Sequence, residues 1–376
     1  MTSAILQLIP HLNTGGAERT CIDVAGALWK NGLRALVASE GGRLEEDLRV
    51  RGGELIPLSM ASKSPARILA NARALERLIA SHDVKLIHAR SRAPAWSGLI
   101  AARRAKIPFV TTYHGFYSAR SPLKRWYNSV MVRGEAVIAN SQFTANHIEK
   151  EYPARKARIV TIPRGVDEEV FDPTRISATR AQNLRAHWGV GARDILILLP
   201  GRLTRWKGQR ILIEAMAQID APGVRAVLAG DAQGRGAYED ELSALISRAG
   251  LDERVILAGH VADMAGAYMA ADIVVSCSVE PEAFGRVAAE AAAMGRPVIA
   301  TDHGGARETV IAGQTGSLIP AGDATALTEA LTQLLRMGPQ ERTRLGEAGR
   351  QHVLTRFTRT RMCADTLKLY AELAQV

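Results

Sequence analysis

Ile195-Leu196-Ile197-Leu198-Leu199-Pro200-Gly201-Arg202-Leu203-Thr204-Arg205-Trp206-Lys207-Gly208 starts as an uninterrupted aliphatic run and breaks into a cationic loop flanked by glycines. Five aliphatic residues with no polar alternation fit a strand covered on both faces, as in parallel sheets. Such a strand delivers the following loop to the carboxyl edge of its sheet, where open α/β sheets hold their ligands. Arg202 and Lys207 both fall in that loop. Together they suit a diphosphate, Arg as a planar fork and Lys as a point charge. The alternative, two solvated loop charges, leaves their placement unexplained.

The same pattern repeats along the chain. Short apolar runs at 4–9, 35–38, 86–89, 109–112, 136–139 and 159–162 predict strands in the first half, and runs at 195–199, 225–229, 255–258, 273–276, 298–301 and 317–319 predict them in the second. Helical periodicity lies between them, as in Ile68, Leu69, Ala72, Leu75, Leu78 and Ile79. Strand and helix in alternation give βαβ units with parallel sheets. A chain of 376 residues divides naturally into two such domains of about 180 residues each. The predicted class is α/β, with two Rossmann-like, doubly wound domains facing each other across a cleft. The expected division is 1–170, a charged and turn-rich linker at 171–190, a second domain at 191–354, and a final helix within 355–376 returning to the first domain.

Composition narrows the class. With 47% hydrophobic and 23% charged residues the chain is ordinary globular material. No apolar run approaches the roughly 18 residues that would span a bilayer. The N-terminus carries no basic segment ahead of its apolar run and reads as a first strand, not a signal peptide. Cys21, Cys277 and Cys363 form neither a disulfide framework nor a zinc pattern, which fits a reducing cytoplasm. There is no Asp-x-Asp and no His/Cys cluster with metal-ligand spacing, so no metal and no cofactor are expected. The net charge of +10 is uneven: residues 1–185 hold 28 Lys+Arg against 16 Asp+Glu, whereas residues 186–376 hold 20 against 22. A basic excess confined to one half points to an anionic partner there, although a solvated basic surface would look the same.

Two further stretches carry chemistry. Gly15-Gly16-Ala17-Glu18-Arg19 opens a helix directly after the first strand, a place where backbone can approach a negative group closely. A tight turn would need glycine there regardless. In Glu280-Pro281-Glu282-Ala283-Phe284-Gly285-Arg286-Val287-Ala288-Ala289-Glu290, a turn leads into an Ala-rich helix. The first-turn amides, roughly Phe284 to Val287, lack intrahelical acceptors and can hold a phosphate or sugar hydroxyls. Glu282 precedes the helix and could accept from a sugar hydroxyl. Glu290 lies within it and needs a donor partner, for which ribose hydroxyls would serve. A wet surface charge, or a buried carboxylate pair for acid–base work, are the competing readings.

Glu282 and Glu290, with seven residues between them, resemble the signature of the retaining glycosyltransferase family 4, whose two Rossmann-like domains form the arrangement called GT-B. Gly15-Gly16 resembles that family's N-terminal glycine loop. Gly201-Arg202 to Lys207-Gly208 resembles its diphosphate grip, and Pro297 through Asp302-His303-Gly304-Gly305 its closing pattern. The resemblance implies a nucleotide-sugar donor, a UDP- or GDP-hexose. Arg202 and Lys207 would stabilise the leaving diphosphate, Glu282 with the Phe284 and Gly285 amides would orient the sugar, and Glu290 would hold the ribose. Val261 would border the base through its main chain, Val287 would line the donor helix, and His114, after a strand of the first domain, would face the donor sugar. Arg286 departs from the family's usual aliphatic residue, and a cation there would add to diphosphate binding or select a particular substrate.

The acceptor is expected on the basic half. Arg90 and Arg92 follow a strand and would overhang the cleft beside Trp96, and Lys124-Arg125-Trp126-Tyr127 places cations beside aromatics, as at an anionic headgroup zone. The stretch from His88 to Arg133 is similar to enzymes of lipopolysaccharide core assembly. That resemblance implies a saccharide acceptor, lipid-linked, met by a cytoplasmic protein at the inner membrane face. Competing readings are a GT-B sugar phosphorylase or nucleotide-sugar epimerase. A nucleic-acid binder is disfavoured, because no aromatic–basic platform or helix-turn-helix signal accompanies the charge.

Overall fold

The computed structural model describes residues 3–13, 15–117, 121–232, 234 and 236–375. Two compact units divide the chain: Met1–Gly165 with Arg359–Val376, and Val166–Thr358.

Among the described residues, the first unit holds a seven-stranded sheet built from β1 (Ala4–Leu8), β2 (Arg34–Ser39), β3 (Gly53–Pro57), β4 (Val84–Ala89), β5 (Phe109–Tyr113), β6 (Ala136–Ala139) and β7 (Arg158–Thr161). Their spatial order is β3-β2-β1-β4-β5-β6-β7, and every pairing is parallel. β1 is central, with Leu6 opposite Leu36 on one side and Ile87 on the other. The aliphatic runs are explained by burial on both faces. Leu6, Leu8, Ile87 and Phe109 pack on one side of the sheet, and Ile5, Val37, Leu86 and Val110 on the other.

The second unit repeats the plan with β8 (Ile195–Pro200), β9 (Val224–Ala229), β10 (Val255–Gly259), β11 (Ile273–Ser276), β12 (Val298–Thr301) and β13 (Gly316–Ile319), in the order β10-β9-β8-β11-β12-β13. The strand order reverses direction beside β8, so the loops after β8 and β11 leave from neighbouring central strands. A switch point of this kind is where doubly wound sheets bind ligands.

The sequence reading needs two corrections, one to the strand count and one to the domain bounds. β3 was not among the expected strands. It is an edge strand with exposed Glu54 and only Gly53 fully covered, so it lacks the apolar run that marks the others. The expected linker at 171–190 belongs to the second unit, which runs from Val166 to Thr358 and not from 191 to 354. Ser177 caps a helix there, Ala178–His187, by accepting from the Arg180 amide. The charges that made it resemble a linker are used internally: Arg180 pairs with Asp263, and Arg185 with Asp272 at 3.1 Å. At the C-terminus, helix Pro339–Arg356 ends the second unit, and the separate helix Arg359–Ala374 belongs to the first. Among the described residues, no helix is long and apolar enough to cross a membrane.

Candidate active site

In the second unit, three loops at the carboxyl edge converge. The loop after β8 carries Arg202 and Lys207, the loop after β11 carries Ser278 and Glu282, and the loop after β12 carries His303 and Gly304. Gly208 and Gly304 allow them to meet. Both have positive φ, +77° and +65°, and a Cβ would overlap the Cys277 carbonyl oxygen in the first case and Glu282 backbone in the second. The Trp206 carbonyl accepts from Val279 N at 2.7 Å, and the Glu282 carbonyl from Gly305 N at 2.8 Å.

Lys207 Nζ then lies 2.8 Å from Glu282 Oε1, with the two side chains only 12% and 16% exposed. Ser278 Oγ donates to the same oxygen at 2.5 Å. Burial pushes the Glu282 carboxyl up, but the Lys207 ammonium, with the Ser278 hydroxyl, outweighs it and holds the group below the usual carboxylate range. Glu282 is therefore an anion at neutral pH, an acceptor for a hydroxyl and not a proton donor. Arg202 is exposed, and among the described residues its guanidinium has no hydrogen bond or ion pair, which leaves its fork available for an anion. Ser276, Ser278, Glu282, Gly285, Thr301 and His303 line a small cavity at this junction.

Helix Arg286–Ala293 starts at the cavity, and Gly285 provides no side-chain cap. Its first-turn amides lack intrahelical acceptors and carry the positive end of the helix dipole. Only the backbone of Phe284 is available to a ligand, because its ring is buried against Phe357. Val287 and Val261 pack their side chains partly into the core. Glu290 is 8% exposed and is not a wet surface charge. Its Oε1 accepts from Arg286 at 2.6 Å and its Oε2 from the Tyr268 hydroxyl at 3.1 Å. Arg286 therefore neutralises Glu290 one turn away, a function that the sequence reading had not assigned to it.

The first unit carries a second polar centre. His88, Arg90, Thr112, His114, Asn140 and Arg164 border a cavity where β4, β5, β6 and β7 end. His114 Nδ1 faces Arg164 Nη2 at 3.0 Å. Burial, then the charges of Arg164 and Arg90, holds His114 well below the usual imidazole range. Gly15 and Gly16 lie at the start of helix Gly16–Lys30, immediately after β1 and its following loop.

The family description "Glycosyl transferases group 1" matches residues 181–352, and "Glycosyltransferase Family 4" matches residues 14–170. A D-inositol 3-phosphate glycosyltransferase of Xylanimonas cellulosilytica is 32% identical over 302 residues, covering 76% of this chain and 72% of that protein. The chain belongs to glycosyltransferase family 4. A glycosyltransferase of Rickettsia africae superposes with a TM-score of 0.93 at 33% identity, covering 99% and 98% of the two chains. Anabaena HepE in complex with UDP superposes with a TM-score of 0.86 at 27% identity, covering 99% and 100%. The fold of this family 4 enzyme is GT-B, as its motifs implied.

The residues expected to meet the acceptor of this glycosyltransferase are placed differently from one another. Arg90 does not overhang an open edge. It is 2% exposed, and its Nε donates to Gln7 Oε1 at 2.8 Å. Arg92 bonds Asn128 Oδ1 at 2.9 Å and lies over the Tyr117 ring. Trp96 stacks on Trp126 at 4.7 Å and donates to the Tyr127 carbonyl at 3.2 Å. Trp96 thus supports a surface groove of about 560 Å³ lined by Trp126, Tyr152, Arg103, Arg125, Arg133 and Lys156 among others. Trp126 is 53% and neighbouring Leu123 74% exposed.

Ser278, Tyr268 and Arg164 were not singled out from sequence. Ser278 lies four residues before Glu282 in the same loop and could have been found by that proximity. Tyr268 and Arg164 reach their partners only through the fold.

Proposed function

We propose that this glycosyltransferase moves a hexosyl unit, of glucose or mannose type, from a uridine diphosphate sugar to a phosphorylated saccharide acceptor carried on a lipid. The observation that carries the reading is the Lys207–Glu282 pair, at the mouth of a capless helix and beside an unengaged Arg202. On departure of the nucleotide, the bond from the anomeric carbon to the β-phosphate oxygen breaks and charge accumulates on the diphosphate. Arg202, Lys207 and the helix-terminal amides would stabilise that charge, each preorganised donor contributing about 3 kcal/mol. Glu282 would accept from a hydroxyl of the donor sugar, and Glu290, oriented by Tyr268 and Arg286, from the ribose. The anomeric configuration would be retained. These cations would serve in place of a divalent metal.

The choice of uridine is supported by the UDP complex of the HepE relative, and an anionic acceptor by the name of the inositol 3-phosphate relative. The basic first half and the aromatic groove with its arginines support contact with an anionic membrane at the cytoplasmic face. A thermal-shift panel of nucleoside diphosphates and their sugars tests the donor, with UDP raising the melting temperature and GDP leaving it unchanged. A shift with GDP alone would replace the uridine assignment. Sedimentation with anionic and neutral liposomes tests the membrane reading, which fails if Arg125→Ala with Trp126→Ala leaves binding to anionic vesicles intact.

A further inference from the structure

Two imidazoles, His88 buried and His114 half-buried, stand at the carboxyl ends of adjacent strands in the first unit, and they are treated differently. His88 has both ring nitrogens engaged, Nδ1 with the Tyr370 hydroxyl at 2.5 Å and Nε2 with Thr112 Oγ1 at 2.7 Å. His114 has only Nδ1 engaged, with Arg164, and its Nε2 is buried without a hydrogen-bond partner among the described residues. A buried polar atom with no protein partner calls for a ligand, an ordered water or a functional role.

A guanidinium has no acceptor, so the contact between Arg164 and His114 has one reading: Arg164 donates and Nδ1 accepts. A neutral imidazole that accepts at Nδ1 carries its proton at Nε2. Protonation of Nδ1 would turn an N–H toward a cation. Among the described residues, the charged groups bordering the ring are Arg90 after β4 and Arg164 after β7, both cations; the imidazole of His88 shares the cavity, and the Tyr117 hydroxyl bonds the His114 backbone.

We infer that Arg164 is a positioning residue that fixes His114 as the Nε2–H tautomer, so that the ring presents a hydrogen-bond donor to an oxygen of the donor sugar. This rests on the proposed placing of His114 at that sugar, but the tautomer itself does not. A neutral donor supports a sugar hydroxyl or the ring oxygen without adding a charge that would oppose positive character building at the anomeric carbon. Arg164 thus acts through His114 and needs no contact with substrate.

The test is nitrogen-15 NMR of the histidine rings in the full chain near pH 7.5, with His114 assigned by its loss in His114→Gln. The expected spectrum shows protonation at Nε2 of His114. Arg164→Met should release it to a mixture or to the Nδ1–H form, while Arg164→Lys, which still donates, should keep it. With a UDP-sugar donor, Arg164→Met should lower kcat about tenfold and introduce an acid limb in the pH profile, and Arg164→Lys should restore both. An Nδ1–H ring in the unmodified protein, or an unchanged tautomer and pH profile in Arg164→Met, would overturn the inference. If the tautomer behaves as stated but His114→Gln turns over donor normally, the placing of His114 fails and the positioning by Arg164 survives.

Discussion

Lys207 Nζ and Glu282 Oε1, 2.8 Å apart, link two loops that leave neighbouring central strands of the second unit. Removing one partner of so covered a pair strands the other. Lys207→Ala should therefore cost about 3 kcal/mol in stability, and Glu282 should lose the cation that keeps its carboxyl low. Glu282→Gln keeps an acceptor for Lys207 but removes its counter-charge, and should destabilise too, by less than Lys207→Ala because the hydrogen bond remains. Urea denaturation of the two variants and their double mutant measures the coupling. In kinetics, Lys207→Ala should lower kcat by about 10²- to 10³-fold, the effect of losing one preorganised donor. Independent effects of the two substitutions would contradict the pairing.

The ribose assignment depends on the orientation of Glu290. Tyr268→Phe removes one donor from a buried carboxylate and should destabilise the protein by about 1 kcal/mol. It should also weaken UDP binding several-fold by isothermal titration calorimetry, without altering the fold by circular dichroism. Glu290→Ala should abolish UDP binding.

Gly304→Ala tests the backbone junction. A non-glycine residue at φ +65° costs roughly 1–2 kcal/mol, before the overlap of its Cβ with Glu282 backbone is counted. The melting temperature should fall, and kcat should fall with it because Glu282 is displaced. A variant with native stability and activity would show that the loop after β12 does not position Glu282.

Stability should decline in mild acid. His88 and His114 are held well below the usual imidazole range, first by burial and then by neighbouring cations. The unfolded chain takes up these protons near pH 6.5, and the native protein does so only at lower pH. Stability from these groups is therefore complete above about pH 6.5 and is lost as pH falls from there toward the native values. Urea midpoints between pH 8 and 5 should show the loss, and His88→Gln or His114→Gln should flatten the slope.

The sheets were legible because burial on both faces leaves aliphatic runs that need no context, as at Ile195–Pro200. Edge strand Gly53–Pro57 was not, since one wet side removes that signal. Helix Ala178–His187 buries only Ala181, so it has almost no apolar stripe, and its charges are explained by Asp263 and Asp272, some 80 residues later in the chain. The donor loops were legible for a similar reason in reverse. Strand ends fix where Arg202, Lys207 and Glu282 emerge, and the family spacing of Glu282 and Glu290 does the rest. Arg90 was misplaced because a strand's end gives the position of a residue but not the direction of its side chain.

The Tyr370 hydroxyl on His88 has a bearing on how the protein is made. The residue that satisfies the imidazole at the end of β4 is synthesised 282 positions after it. While the ribosome is still building the second unit, the first has its seven strands but lacks Arg359–Ala374 over one face of the sheet. Apolar surface around Ile5, Leu86 and Val110 stays uncovered by Met362, Leu369 and Tyr370 until residues 359–374 have been made. A nascent chain stalled before residue 359 should therefore be held by chaperones or cleaved, and a stop codon there would cost the N-terminal unit its integrity even though every one of its strands is present.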